Sequence, residues 1–122
     1  RPGTVYIAPA NYHLLVEKDS LALSTESPVG WARPSIDVLF ESAADAWGER
    51  VIGVILTGAN SDGSLGLARI KEAGGLTIAQ DPSEAEFPVM PRAAMAASRI
   101  DHVLTLVDIS ALLARLCPDL SR

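Results

Sequence analysis

One cysteine in 122 residues, Cys117, excludes an internal disulfide and fits a reducing, cytoplasmic setting. It stands in "RLCPD" with no flanking glycine turn or neighbouring histidine to activate it, so it is a poor candidate nucleophile. Aromatic residues make up only 5% of the chain, which leaves aliphatic and alanine packing to build the core. Lys and Arg are scattered and the net charge is −5, so neither a nucleic-acid surface nor an anionic membrane is expected as partner. No apolar run approaches the roughly 20 residues that cross a bilayer, so no membrane insertion is expected. The opening "RPGTV" has neither a Met nor the regions of a signal peptide, and the chain is expected to be part of something longer.

At 48% hydrophobic, the chain can bury the core of one domain, but not of two. "VYIA" (Val5 to Ala8) reads as a short strand stopped by Pro9, and "HLLVEK" with "SLALS" as a small hairpin or meander around Asp19. "PVGWARP" is a loop by its prolines and glycine. Ser35 is placed to cap a helix with Asp37 in its first turn; Ile36, Leu39, Phe40, Ala43 and Trp47 recur at helical spacing, and Gly48 ends it. "VIGVIL" (Val51 to Leu56) is apolar on both faces, as a buried parallel strand is. A glycine loop follows, then a helix to about Ala73 stopped by Gly74 and Gly75, and a strand "LTIAQ". Ser83 and Glu86 have capping-box spacing, Pro91 suits the start of a short helix, and "HVLTLV" reads as a last strand. Asp108 is expected to cap a terminal helix carrying Leu112, Leu113 and Leu116. Alternating strands and helices predict an α/β fold with a mainly parallel sheet.

In such a sheet, chemistry gathers beyond the carboxyl ends of the strands, which points to "LTGANSDGSLG" (Leu56 to Gly66). Several readings of this loop fail on spacing. A Walker loop needs Lys after its second glycine, where Ser64 and Leu65 follow Gly63. Gly58, Gly63 and Gly66 miss the dinucleotide spacing, and the following strand ends on Gln80 where an acidic ribose partner is needed. A calcium loop would put Gly58 at its first ligand position and Arg69 at its last. Ser61 lacks the glycine two residues before it that a nucleophile elbow requires, since Ala59 stands there.

Asp62 remains, with two readings. Asp before Gly at a helix start is commonly a cap or turn residue. Equally, a carboxylate at a helix N-terminus interacts well with the local amides and can hold a catalytic histidine in the right tautomer while balancing its imidazolium charge. Of the two histidines, His102 reads as a surface or strand-edge residue; His13, in "APANYHL", is either a site residue or a turn-stabilising one.

The blocks "PGTVYIAPANYHL", "RPSIDVLFESAA", "IGVILTGANSDGSLGL", "IKEAGGLTIAQDPSEAEFPVMPRAA" and "VLTLVDIS", in this order, resemble the CheB-type chemotaxis protein-glutamate methylesterases. The resemblance runs from about residue 2 to residue 116. It implies a doubly wound, Rossmann-like three-layer α/β domain with helices on both faces of the sheet and a Ser-His-Asp triad, here without its first βα units. It implies hydrolysis of glutamyl methyl esters, and in many members deamidation of glutamines, on the cytoplasmic helices of chemoreceptors. Methylated receptor helices and a receiver domain are the partners it suggests, with no metal or organic cofactor. Carried over, the triad acid falls on Asp62, and a backbone oxyanion donor on Ala59, where the family usually has Met. His13 matches a family position other than the catalytic one. The serine turn and the catalytic histidine would precede Arg1, so residues 1–122 are expected to be one partial catalytic domain that is inactive alone. The rival expectation is a non-catalytic module of the same fold that binds a receptor or signalling partner.

Overall fold

A computed structural model describes residues 3–118. Arg1 and Pro2, where the first quoted blocks begin, lie outside the described residues. Strands β1 (His13–Val16) and β2 (Leu21–Ser24) form an antiparallel hairpin, and α1 (Ile36–Trp47) packs against it. The chain then alternates through β3 (Ile52–Ile55), α2 (Ser64–Glu72), β4 (Leu76–Gln80), α3 (Val89–Ala97), β5 (His102–Leu104) and α4 (Leu106–Leu116). The three later strands form a parallel sheet in the order β3-β4-β5, the α/β architecture expected of alternating elements.

Two apolar clusters lie on opposite faces of this sheet. On one, Ala44, Ile55, Leu67, Ile70 and Ala94 join α1, β3, α2 and α3. On the other, Ile78, Ile109 and Leu112 join β4 to α4, with Ile52, Val54, Leu76 and Leu104 beside them. Ile52 and Val54 face one way and Ile55 the other, as the two-residue period of a strand demands, so "VIGVIL" is apolar throughout because both faces carry helices. β3 is nonetheless the edge of the sheet among the described residues, pairing with β4 alone.

Local signals located the helices but often misassigned their caps. Val5 to Ala8 is not a strand: the segment has no ladder partner among the described residues, and Val5 and Ile7 are 86% and 87% exposed. The N-cap of α4 is Thr105, whose hydroxyl accepts from the Asp108 amide, so Asp108 is capped and is not the cap. The Ser83–Glu86 box does not form, because Asp81 accepts from both the amide and the hydroxyl of Ser83. α3 starts two residues before Pro91. Ser35 occupies the N-cap position of α1 but makes no capping bond with its side chain. That bond comes from 27 residues further along.

Candidate functional site

The carboxyl end of β3 runs into a loop fixed from both sides. The Thr57 amide donates to Oε1 of Gln80 at 2.8 Å, tying the end of β3 to the end of β4. Gly58 donates to the Phe87 carbonyl at 2.9 Å and its own carbonyl accepts from the Met90 amide at 3.0 Å. A Cβ at Gly58 would lie 2.6 Å from the methyl carbon of Met90, so a side chain there would push the Met90 side chain aside. Ala59, the next residue, therefore has a backbone whose direction is set on its amino side. It is exposed, and its amide makes no hydrogen bond among the described residues.

Asn60 then accepts from the Asp62 amide at 2.9 Å, an Asx turn that aims the Asp62 side chain away from α2 and towards α1. Gly63, at φ +97°, completes the turn into α2. The Asp62 carboxylate receives three donors: the Ser35 hydroxyl at 2.9 Å and the Asp37 amide at 3.1 Å on Oδ1, and the Ile36 amide at 2.7 Å on Oδ2. Asp62 is thus a helix cap, but for α1 and not for the helix it precedes. Asp37 returns the bond, with Oδ1 accepting from the Gly66 amide in the first turn of α2 at 2.7 Å. The two helix N-termini exchange carboxylates, each satisfying amides that its own helix leaves unpaired. Gly66 allows the approach, since a Cβ there would lie 2.7 Å from Cβ of Phe40 and 3.0 Å from Cα of Asp37.

An ionised carboxylate offers about four acceptor directions. Three are used, two on Oδ1 and one on Oδ2, which leaves one on Oδ2. No Lys or Arg reaches Asp62 among the described residues. Asp62 is half-buried in the wall of a cleft of about 120 Å³ lined by Val29, Gly30, Asn60, Ser61 and Ser64 among others. A neutral cradle, an uncompensated negative charge and a free acceptor suit it to receive one N–H and to balance a positive charge that develops on the donor.

The other candidates fall elsewhere. His13 is buried at 2% exposure, with Nδ1 accepting from the Ser35 amide at 3.2 Å and Nε2 3.0 Å from the Ser27 carbonyl. With both ring nitrogens engaged by backbone groups, it is a structural histidine carrying its proton on Nε2. His102 opens β5, half-buried and away from the cleft. Ser61 lines the cleft, is exposed and has no histidine partner among the described residues. Cys117 is the C-cap of α4. By local rules Ser35 and Asp37 are only helix-start residues. The signal that could have found their wider role is the glycine at 66, an odd choice inside a helix unless another chain element passes close by.

The fold and the cleft define an α/β protein with its candidate site at the carboxyl end of a parallel sheet, on a strand-to-helix loop. The chain matches the family model described as CheB methylesterase over residues 1–113, and it belongs to that family. A Leptospira interrogans protein, provisionally named protein-glutamate methylesterase/protein-glutamine glutaminase, is 54% identical over 117 residues. The match takes in 95% of this chain and 61% of that protein, so the chain spans about three fifths of the relative's length. A Burkholderia pseudomallei protein named protein-glutamate methylesterase/protein-glutamine glutaminase 1 is 46% identical over 113 residues, 89% of this chain and 31% of its own length. The catalytic domain of Thermotoga maritima CheB methylesterase superposes with a TM-score of 0.86 at 30% identity, over 91% of this chain and 61% of that one.

Proposed function

We propose that this chain supplies the acid and part of the oxyanion site of a carboxylic-ester hydrolase that removes methyl groups from glutamyl esters on chemoreceptor helices. The names of the relatives support the substrate class, and they add glutamine side chains as a second one. A serine would attack the ester carbonyl with a histidine as general base, and water would then release the acyl-enzyme. Among the described residues no histidine faces Asp62 and the serine bonded to it, Ser35, is buried, so neither of those two groups is found beside it. In this reading they come from the part of the relatives' length that the chain does not span. Asp62 orients the histidine through its free Oδ2 acceptor and balances the imidazolium, while the Ala59 amide donates to the oxyanion.

The observation that carries this reading is the Asp62 carboxylate, held by three neutral donors at the mouth of a cleft with one acceptor direction to spare. A main-chain donor does not depend on its side chain, so Ala59 in place of Met keeps the amide and widens the wall beside it. In the protein extended by a family-type upstream segment, Asp62→Asn should stay folded by circular dichroism. Its hydrolysis of a methylated receptor peptide should fall by about 10⁴, the loss produced by the same change in a serine protease. A folded variant that keeps most of its activity would reduce Asp62 to a helix cap.

A further inference from the structure

Ser35 is 1% exposed, and its hydroxyl is the only side-chain donor on Asp62 among the described residues. Its amide is fixed in turn by His13 Nδ1, and His13 is anchored on the Ser27 carbonyl. A chain of hydrogen bonds therefore runs from the loop after β2, through the buried His13 of β1, across the start of α1 and into the carboxylate at the cleft. A serine at a helix N-cap ordinarily turns its oxygen on its own helix as an acceptor. Here the hydroxyl spends its single proton on Asp62, and Asp62 does the capping.

We infer that Ser35, held in place by His13, is a positioning residue for Asp62: its hydroxyl bond on Oδ1 fixes the carboxylate plane so that the free acceptor on Oδ2 faces the cleft. The two amide donors, on neighbouring residues of one helix turn, take one oxygen each, Ile36 on Oδ2 and Asp37 on Oδ1, and the Ser35 hydroxyl adds a second bond on Oδ1 from the N-cap. The inference rests on the triad reading above, because it concerns how the same carboxylate meets the base.

The test is a double-mutant cycle in the complete protein, with rates expressed per active site titrated by a serine-directed fluorophosphonate. Ser35→Ala should lower kcat on a methylated receptor peptide by about 10- to 100-fold with KM little changed, the scale of a small misplacement of a catalytic group. Ser35→Thr, which keeps the hydroxyl, should restore most of it. Ser35→Gly, well tolerated at a helix N-cap, is a second variant without the hydroxyl should the alanine form fold poorly. In an Asp62→Asn background the same Ser35 changes should cost less than about twofold, because the two residues act as one unit. Equal losses in both backgrounds, or none in either, would overturn the inference while leaving Asp62 essential. Full activity of Asp62→Asn by itself would overturn the triad reading and this inference with it, an outcome distinct from the first because Asp62 is then dispensable.

Discussion

Two carboxylates at opposite ends of the parallel sheet do similar structural work in different electrical surroundings. Asp101 stands just before β5, at the amino end of the sheet, where Oδ2 accepts from the Thr77 amide at 2.9 Å and hydroxyl at 3.1 Å and Oδ1 pairs with Lys71. The Lys71 ammonium, against an opposing contribution from burial and with help from the Thr77 donors, holds its carboxyl below the usual range. Asp62, at the carboxyl end, has the same number of donors and, among the described residues, no cation. A balanced carboxylate is finished as a structural group. An unbalanced one still has charge to offer, and it lies at the end of the sheet where α/β proteins keep their chemistry.

The contrast breaks most sharply if the Asp62 side chain is removed. Asp62→Ala strands the Ser35 hydroxyl and two α1 amides, and should lower unfolding free energy by about 2–4 kcal/mol in urea titration. A loss no larger than that of an average surface substitution would mean that water replaces the carboxylate without penalty. Gly66→Val tests the geometry that brings the two helix starts together. Its Cβ meets Phe40 and the α1 backbone, and overpacking of this kind costs about 1–3 kcal/mol, visible as a lower Tm.

Asp101→Asn should do the reverse of Asp62→Asn, keeping turnover of the complete protein near wild type while reducing stability. Because the folded-state pKa of Asp101 is depressed, the ionised form binds the fold better, and its contribution is present above the unfolded value of about 3.9. It is lost as pH falls through the lower folded value. The stability gap between wild type and Asp101→Asn should therefore be on the order of 1 kcal/mol at pH 7, kept small by the partial exposure of Lys71, and should close at acid pH. A gap that does not change with pH would show that the bond to Thr77, and not charge, is what matters. The smallest effect belongs to Ser61→Ala, with stability within about 0.5 kcal/mol of wild type and no loss of phosphonate labelling. Labelling at Ser61 itself would relocate the nucleophile.

How much of this could be read in advance depends on how far apart the interacting residues are in sequence. The α1 periodicity, the Gly48 and Gly74–Gly75 stops and the hairpin at Asp19 follow from neighbours within a few positions, and all are present. Asp62 stood out because spacing eliminated every rival in its loop. Which helix it caps could not be read, because local rules give each helix start to the nearest polar side chain, and the capping bonds actually span 26 and 25 residues. Asp81 and Thr105 won their caps over Ser83 and Asp108 for a related reason: where several short polar residues crowd a turn, backbone geometry chooses among them. Val5 to Ala8 has strand composition, yet a strand exists only where a ladder partner does.

The exchange of carboxylates between α1 and α2 also bears on how the molecule opens. Neither helix start is complete without the other, so the amides of Ile36, Asp37 and Gly66 lose protection together or not at all. In native-state hydrogen exchange these three should report one common opening free energy, although they belong to segments about 30 residues apart. Fraying of either helix start by itself, the ordinary low-energy fluctuation of a helix end, is thereby suppressed next to the cleft. The wall of the site is as rigid as the contact between two helices, and it moves only when that contact parts.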